Sequence, residues 1–393
     1  FNQPNTSILE NVVMSTESWV WGGLSNSDWS TSDNWYAYNG QHWIRQTTET
    51  PSPSDKVYIL SNSSAGLCVS GSNNAAITDA TIKDLVVASN ATIALSGTTT
   101  LTGNFENNGN VSAGASSTLF MTGGDDQSIS GSTITLNNLA LDKSSSNLII
   151  SAPINIQGSL TMTSGNIVNG TNVITIGSSS SNTGSIEHTS GIITGKLCRY
   201  FAASPGSQFF PIGTLSGIRD IRVEFLSSPG INQYLTVSYN EGVPQLNGSD
   251  FYAGLPLVTS DGQLIQNYDD AGIWEVSPTN NDYSASINNE PYRISLHMNN
   301  LTGASDFSAV RIIKSPGSNT LANHHANWTS TIHESSLGVN SDFMVTSSAT
   351  GFSFFGAGGD DDTNPLPVEL ISFSGICENG LVNLQWQTAS EFN

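Results

Sequence analysis

Charge is scarce in this chain, and positive charge is the scarcest. Lys, Arg, Asp and Glu together make up 11% of the 393 residues, which is about half of the usual share. The 11 Lys and Arg residues stand against 32 Asp and Glu residues, so the formal net charge is -21. A surface of that sign repels phosphate backbones and anionic lipid headgroups. The composition therefore argues against nucleic acid as a partner.

Long apolar runs and closely spaced cysteines are also missing. No stretch approaches the roughly 20 apolar residues of a membrane-spanning helix, so membrane insertion is not expected. Cys68, Cys198 and Cys377 lie far apart, allow one disulfide at most and form no Cys-x-x-Cys metal site. The tendency of cysteine to be buried favours a reduced thiol inside a core for each of them.

Familiar catalytic motifs are absent as well. There is no Gly-x-Ser-x-Gly elbow, no phosphate-binding Walker loop and no His-Glu-x-x-His zinc site. The sequence GGDD at 123–126 is similar to the paired aspartates of β-helical polysaccharide hydrolases, in which two carboxylates divide the acid and base roles. The companion Gly-His-Gly and Arg-Ile-Lys sequences are missing, so Asp125 and Asp126 are interpreted as a solvated turn. The prediction is a protein that is not an enzyme.

Tryptophan is what the N-terminal region has in abundance. Five rings are interleaved with Ser, Asp and Asn, a pattern typical of short strands and Asx turns; they are Trp19, Trp21, Trp29, Trp35 and Trp43. Exposed rings would stack on sugars and would make this region a carbohydrate-binding surface. The favoured interpretation is that they cap the open end of the next domain, because stacked repeats need an atypical end unit.

Residues 75–190 carry an internal repeat. TIKDLVV at 81–87 is matched by TLNNLAL at 135–141, and LTGNF at 101–105 is matched by IQGSL at 156–160. Short β-branched runs separated by Gly and Asn, without helical periodicity, predict a parallel β-solenoid with three coils of about 18 residues per repeat. The predicted inward residues are Ile82, Leu85, Ile93, Leu95, Leu101 and Phe105, repeated as Leu136, Leu139, Leu148, Ile150, Ile156 and Leu160.

A β-sandwich with long meanders is the competing interpretation of this region. It explains the β-branched runs but not the matched Gly103 and Gly158, which in a solenoid mark equivalent corners. Residues 191–357 lose the repeat and alternate in the manner of sandwich strands, for example in IRVEF and YLTVSYN.

The sequence thus predicts an all-β chain: a short parallel β-helix followed by a β-sandwich and the first strands of a further domain. The predicted divisions are an N-terminal arm at 1–18, a Trp-rich cap at 19–66, the solenoid at 67–190, the sandwich at 191–357, a linker at 358–365 and the further strands at 366–393.

Four stretches carry a resemblance to a known group of proteins. They are WVWGGLSNSDWSTSDNW at 19–35, GSLTMTSGNIVNGTNVITIG at 158–177, GKLCRYF with FFPIGT at 195–214, and LPVELISFSG with VNLQWQTASEFN at 366–393. In these stretches the chain resembles the large secreted and cell-surface proteins that Bacteroidota export by type IX secretion. The resemblance implies an extracellular or cell-surface location. It also implies an Ig-like domain that begins near Leu366 and normally continues with further strands and a sorting domain.

Proteins of this kind are adhesins, surface-layer or fibre subunits, or modules attached to secreted enzymes. The resemblance therefore implies a structural or adhesive role, with glycans as candidate partners, and a carbohydrate-binding module is the alternative. Self-assembly into a homo-oligomer or polymer is the sharper form of the hypothesis, because both terminal regions contain strand-like segments that a neighbouring copy would complete by strand addition. The predicted contact residues are Ile8, Val12, Val13, Leu384 and Trp386.

Two acidic loops are the remaining candidate site. NYDDAG at 267–272 and GDDDTNP at 359–365 offer carboxylate oxygens of the kind that calcium binds; the residues are Asp269, Asp270, Asp360, Asp361 and Asp362. Their spacing matches no EF-hand, and hydrated turns are the favoured interpretation. Calcium is the one cofactor that the sequence suggests.

Overall fold

A computed structural model of the protein describes residues 15–60, 74–230, 232–242, 255–259, 262–269, 271–278, 291–298, 309–315, 328, 330–332, 343–345, 349–360, 370–378 and 381–388. The chain divides into two compact units, Phe1–Tyr200 and Phe201–Asn393. Its described elements are strands, with one short 3-10 turn at Ser32–Asn34. The predicted all-β class is confirmed.

The described part of the first unit contains 19 strands. They are β1 (Ser18–Trp21), β2 (Trp35–Tyr38), β3 (Trp43–Arg45), β4 (Lys56–Ile59), β5 (Asn74–Ile77), β6 (Ala80–Ile82), β7 (Asp84–Val87), β8 (Thr92–Leu95), β9 (Thr98–Leu101), β10 (Phe105–Asn107), β11 (Asn110–Ala113), β12 (Thr118–Thr122), β13 (Gln127–Gly131), β14 (Ile134–Leu136), β15 (Asn138–Ile150), β16 (Ile154–Ile156), β17 (Ser159–Ile176), β18 (Ser185–His188) and β19 (Ile193–Phe201).

Strands β4 to β19, with β1 paired in parallel to β4, form a parallel β-solenoid with three faces, which the chain visits in the order C, B, A. Face A contains the stacked column Trp19, Val57, Leu85, Phe105 and Ile129. Face B contains the column Ile82, Leu101, Met121, Leu141 and Met162. Face C contains the columns Ile77 with Leu95 and Ile134, Ile154 and Ile174. Side chains from all three faces fill the interior.

The solenoid prediction is confirmed, and so is its core. All of the predicted inward residues are buried, the most exposed being Leu95 at 3%. Alternation within each short strand was enough to identify them, since successive side chains of a strand point to opposite faces. The coil is longer than predicted, as the positions of the directly stacked residues Leu101, Met121 and Leu141 show.

The sequence repeat has a different meaning from the predicted one. Leu85 stacks on Phe105 in face A, whereas Leu139, its partner in the sequence repeat, stacks on Leu119 and Leu160 in face B. The prediction that Gly103 and Gly158 mark equivalent corners is therefore wrong, because Gly103 follows a face B strand and Gly158 follows a face C strand. The repeated sequence encodes the same type of corner, but its two copies lie at different edges of the solenoid.

The shared corner pairs an acidic or amide side chain with the backbone of the next coil. The backbone N–H of Asn104 donates to the Asp84 carboxylate at 2.6 Å, and that of Ser159 donates to the Asn138 side-chain oxygen at 2.9 Å. The glycine before each donor is required, because a Cβ on Gly103 or Gly158 would lie 2.2 or 2.5 Å from that same acceptor oxygen. These contacts explain why glycine occupies the same position in both copies of the sequence repeat.

The N-terminal end of the solenoid is covered by the Trp-rich region. Strand β1 pairs in parallel with β4 of face A and antiparallel with β2, and β2 pairs with β3. On face C, the backbone of Ala76 exchanges hydrogen bonds with Ser27 and Trp29. The edges of faces A and C therefore end in antiparallel or bridging contacts, which is how natural sheets avoid open edges.

Within its described residues, the second unit contains two larger antiparallel sheets and three small hairpins. Its strands are β20 (Gly206–Phe210), β21 (Gly213–Thr214), β22 (Gly217–Ile218), β23 (Ile221–Phe225), β24 (Gln233–Glu241), β25 (Leu257–Val258), β26 (Leu264–Ile265), β27 (Asn267–Tyr268), β28 (Gly272–Pro278), β29 (Tyr292–His297), β30 (Arg311–Ser315), β31 (Ser330–Ile332), β32 (Phe343–Val345), β33 (Phe354–Gly359), β34 (Leu370–Glu378) and β35 (Leu381–Thr388).

The two larger sheets meet through aromatic side chains. One sheet has the order β20, β23, β29, β32, and the other joins β24, β28, β33, β30 and β31. Phe352, which precedes β33, stacks on Tyr292 of β29 at 4.6 Å and meets Phe225 of β23 at 6.2 Å. The Tyr292 hydroxyl donates to the Gly351 carbonyl at 2.7 Å. Facing sheets with such a core are what the sandwich prediction requires.

Candidate functional site

The β34–β35 hairpin exposes an apolar face. Its ladder places Phe373 opposite Trp386, Gly375 opposite Leu384 and Cys377 opposite Val382. Residues directly opposite in an antiparallel pair share one face. The exposed fractions on that face are 62% for Phe373, 65% for Val382 and 53% for Leu384.

The other face of the hairpin is largely polar. It carries Ser374 opposite Gln385 and Ile376 opposite Asn383, and all four side chains are exposed. In the described part of the chain, this sheet consists of the two strands alone. An isolated two-stranded hairpin is marginal in water. Its apolar face and its outer strand edges therefore offer a contact surface.

The predicted contact residues fall into two groups. Leu384 lies on the exposed apolar face, and Trp386 occupies the ladder position opposite Phe373. Ile8, Val12 and Val13 lie outside the described residues.

The tryptophans of the cap face inward. Trp35 is fully buried and meets three other rings edge-on, at 4.9 Å from Trp21, 4.5 Å from Trp29 and 6.4 Å from Trp19. The Trp35 indole N–H donates to the Trp29 carbonyl at 2.8 Å. Trp43 is 3% exposed in a separate cluster with Val20 and Tyr58. Buried rings have no free face for a sugar, so the structure favours the capping interpretation.

The GGDD turn joins faces B and A and lies directly over a buried lysine. Asp125 and Asp126 are exposed, whereas the side chain of Lys143 is fully buried one coil further on. The Lys143 ammonium group donates to the Asp125 carbonyl at 2.7 Å and to the Gln127 side-chain oxygen at 2.6 Å. The Gln127 amide nitrogen donates in turn to the carbonyls of Leu101 and Gly103.

Burial lowers the pKa of Lys143, and the nearby carboxylates of Asp126 and Asp125 partly oppose that effect. The Asp126 carboxylate is itself engaged, because it accepts the backbone N–H of Asn147 at 2.7 Å. The two aspartates therefore frame a polar network that ties three coils together. Sequence reasoning missed Lys143, although alternation with Leu139 and Leu141 places it on the inward side of the strand.

The two candidate calcium residues within the described ranges, Asp269 and Asp360, do not form a joint site. Tyr268 pairs with Gly358 and Asn267 with Gly359, so Asp269 and Asp360 lie beyond opposite ends of that ladder. The Asp269 carboxylate accepts the N–H of Ala271, and the Asp360 carboxylate accepts the Gln263 amide. Asp270, Asp361 and Asp362 lie outside the described residues.

Neither a metal centre nor a membrane helix is apparent in the described ranges. No three His, Cys, Asp or Glu side chains within them are close enough to hold an ion. No helix there has the length and apolar character needed to cross a bilayer. Comparison of the chain with protein-family models, with curated proteins and with solved structures finds no match in any of the three.

Proposed function

We propose that the protein is an extracellular structural or adhesive surface protein whose copies associate through the β34–β35 hairpin. The exposed apolar face of that hairpin, with Phe373, Val382 and Leu384 each more than half exposed, is the observation that carries the proposal. Burying such a face contributes a gross stabilisation of about 25 cal/mol per Å² of apolar area, which must exceed the entropy lost when two copies associate. A second copy supplies the same face, as an isologous contact requires.

Two further features support this role. One outward column of the solenoid is small and uncharged, namely the stacked residues Thr98, Thr118, Asn138, Ser159 and Ser185. The N-terminal edges of faces A and C are capped, so association by end-to-end stacking of solenoids is disfavoured there. Both features favour association through the hairpin. The low share of charged residues and the resemblance to type IX-exported proteins support an extracellular location.

Paired substitutions on the two faces of β35 test the proposal. Val382→Thr with Leu384→Thr places a β-branched residue at each position and removes the apolar surface. Asn383→Thr with Gln385→Thr makes matched changes on the opposite, polar face, and all four positions are exposed. We expect the wild-type chain and the Asn383/Gln385 variant to form oligomers, and the Val382/Leu384 variant to remain monomeric, in sedimentation velocity and electron microscopy.

The opposite results are equally clear. A wild-type chain that is monomeric at concentrations of about 100 μM, where a weak specific interface should already form, would contradict the proposal. Equal assembly of both variants would also contradict it.

A further inference from the structure

A polar groove runs along the edge of the solenoid where face C turns into face B. It has a volume of about 640 Å³ and is lined by corner residues of successive coils and by the loop at 181–185. Its eight polar lining residues are Ser116, Asn137, Asn138, Ser159, Ser181, Asn182, Thr183 and Ser185. The Asp125–Asp126 turn lies at the other edge of face B, so the groove is distinct from it.

The groove crosses four coils. Thr118, Asn138, Ser159 and Ser185 are stacked neighbours at the start of four consecutive face B strands, and the groove follows their corners. Coils of a parallel solenoid are spaced by about 4.8 Å, so three intervals give a floor of about 14 Å. That length suits a short linear oligomer bound along the solenoid axis.

The floor of the groove is formed by a close approach of two coils. The Asn138 side-chain oxygen accepts both the backbone N–H and the hydroxyl of Ser159, at 2.9 and 3.0 Å. Gly158 makes room for this contact, because a Cβ there would lie 2.5 Å from the same oxygen. The Asn138 amide is therefore fixed before any ligand arrives.

The rim of the groove is also held in place. Ser179 and Asn182 form a bridge with backbone hydrogen bonds in both directions, at 3.0 and 3.2 Å. The Arg199 guanidinium, which belongs to a residue only 3% exposed, donates to the Gly184 carbonyl at 3.2 Å. Gly184 has a φ of +66°, a conformation that favours glycine. A rim tied to a buried arginine loses little freedom when a ligand binds.

The chemistry of the lining selects the class of ligand. Its residues are Ala, Ser, Asn, Thr and Gly, with neither a charged nor an aromatic side chain among them. Hydroxyls and amides both donate and accept hydrogen bonds, which matches a ligand made of neutral hydroxyl groups. Anionic ligands gain no cation in the groove and meet a chain with a net charge of -21.

We propose that this groove binds a neutral oligosaccharide of about three or four sugar units along the solenoid axis. The site goes beyond the proposed association of copies and does not depend on it. An open polar groove without an aromatic platform binds weakly, with a dissociation constant of about 1 mM. The buried tryptophans of the cap take no part.

Saturation-transfer NMR on the full chain tests the proposal with four defined probes. Cellotetraose, mannotetraose and xylotetraose are neutral, and tetragalacturonate is the acidic control. Ser116→Gln fills the groove without adding charge, and Asn137→Ala removes a side-chain amide from its wall. Ser112→Gln is the matched control, because Ser112 is exposed on the neighbouring strand β11 and does not line the groove. Circular dichroism checks that each variant is folded.

We expect at least one neutral tetrasaccharide to bind, and tetragalacturonate to bind at least fivefold more weakly. Ser116→Gln and Asn137→Ala should each weaken binding of the neutral probe at least fivefold, whereas Ser112→Gln should leave it unchanged. The proposal is overturned if no neutral probe binds, if the acidic probe binds as well as the neutral ones, or if folded Ser116→Gln binds like the wild type. Oligomerisation has no part in this readout, so failure here leaves the hairpin proposal untouched.

Discussion

At the scale of single residues, Lys143 shows what holds a charge inside the solenoid. Its ammonium group reaches one backbone carbonyl and the Gln127 side chain, and Gln127 reaches two further carbonyls. A buried polar group costs free energy unless it is hydrogen-bonded. Here each hydrogen bond donated by Lys143 or Gln127 is accepted by an oxygen atom of the protein. The network therefore fixes the relative position of the strands that it joins.

Replacing Lys143 by Met should destabilise the solenoid. The substitution leaves the Gln127 oxygen and the Asp125 carbonyl without their donor, and an unsatisfied buried polar group costs about 1 to 3 kcal/mol. The free energy of unfolding in urea measures the loss. Lys196→Met is the control, because Lys196 is exposed on the same solenoid, and surface changes usually stay within about 0.5 kcal/mol. Equal effects of the two substitutions would contradict the network.

The sequence predicted single residues correctly where the prediction depends on one strand alone. Alternation identified Leu85, Ile93 and Leu139 as core residues, since the strand period is the same whatever lies opposite. It did not identify Lys143, because its acceptors belong to the preceding coil and only the stack brings them together. The exposure of Val382 and Leu384 likewise depends on what surrounds the hairpin, not on the pattern of β35.

At the scale of elements, the cap and the coils are one continuous stack. Trp19 occupies the first position of the face A column, and Trp35 packs against Trp19 from the antiparallel strand β2. The aromatic cluster is therefore the first layer of the solenoid core. The sequence predicted the capping role, because stacked repeats need an end unit. It did not predict that Trp35 is the central ring, because that position depends on the register of β1 and β2.

Removing the central ring should open this end of the solenoid. We expect Trp35→Ala to lower the free energy of unfolding by about 3 to 5 kcal/mol, the usual cost of deleting a large buried aromatic side chain. Tryptophan emission should shift to longer wavelength in the native state, since the neighbouring rings gain contact with water. Trp35→Phe keeps most of the volume and should cost less. A native Trp35→Ala protein with unchanged stability would show that the ring is dispensable.

At the scale of the whole molecule, the balance of charge opposes association of copies. Each chain carries a formal charge of -21, and like charges repel over about 30 Å at about 0.01 M salt but only about 8 Å at about 0.15 M. The apolar face of the hairpin contributes attraction that salt does not screen. Association of copies should therefore depend on ionic strength in a defined direction.

We expect assembly to strengthen as sodium chloride rises from about 10 mM to about 150 mM, over which range the screening length falls severalfold. The concentration at which half of the protein is oligomeric should fall, because screening reduces repulsion and leaves hydrophobic contact intact. Sedimentation velocity at both salt concentrations measures the change. The Val382/Leu384 threonine variant should be monomeric in both. Assembly that weakens with added salt would instead indicate ion pairs between copies.

The corner contacts have a consequence for how such a chain can change length. Asp84 with Asn104 and Asn138 with Ser159 join neighbouring coils only, as do the parallel ladders. A tandem duplication of one complete turn, such as 138–158, would restore every neighbour and add about 4.8 Å to the solenoid. A duplication of the longer sequence repeat, such as 81–134, would place its strands one face away from the faces that they occupy in the original. Its small outward residues would then lie on a different side of the solenoid. Duplication of whole turns therefore leaves the residue types on each outer face unchanged. Duplication of the sequence repeat moves them to a neighbouring face.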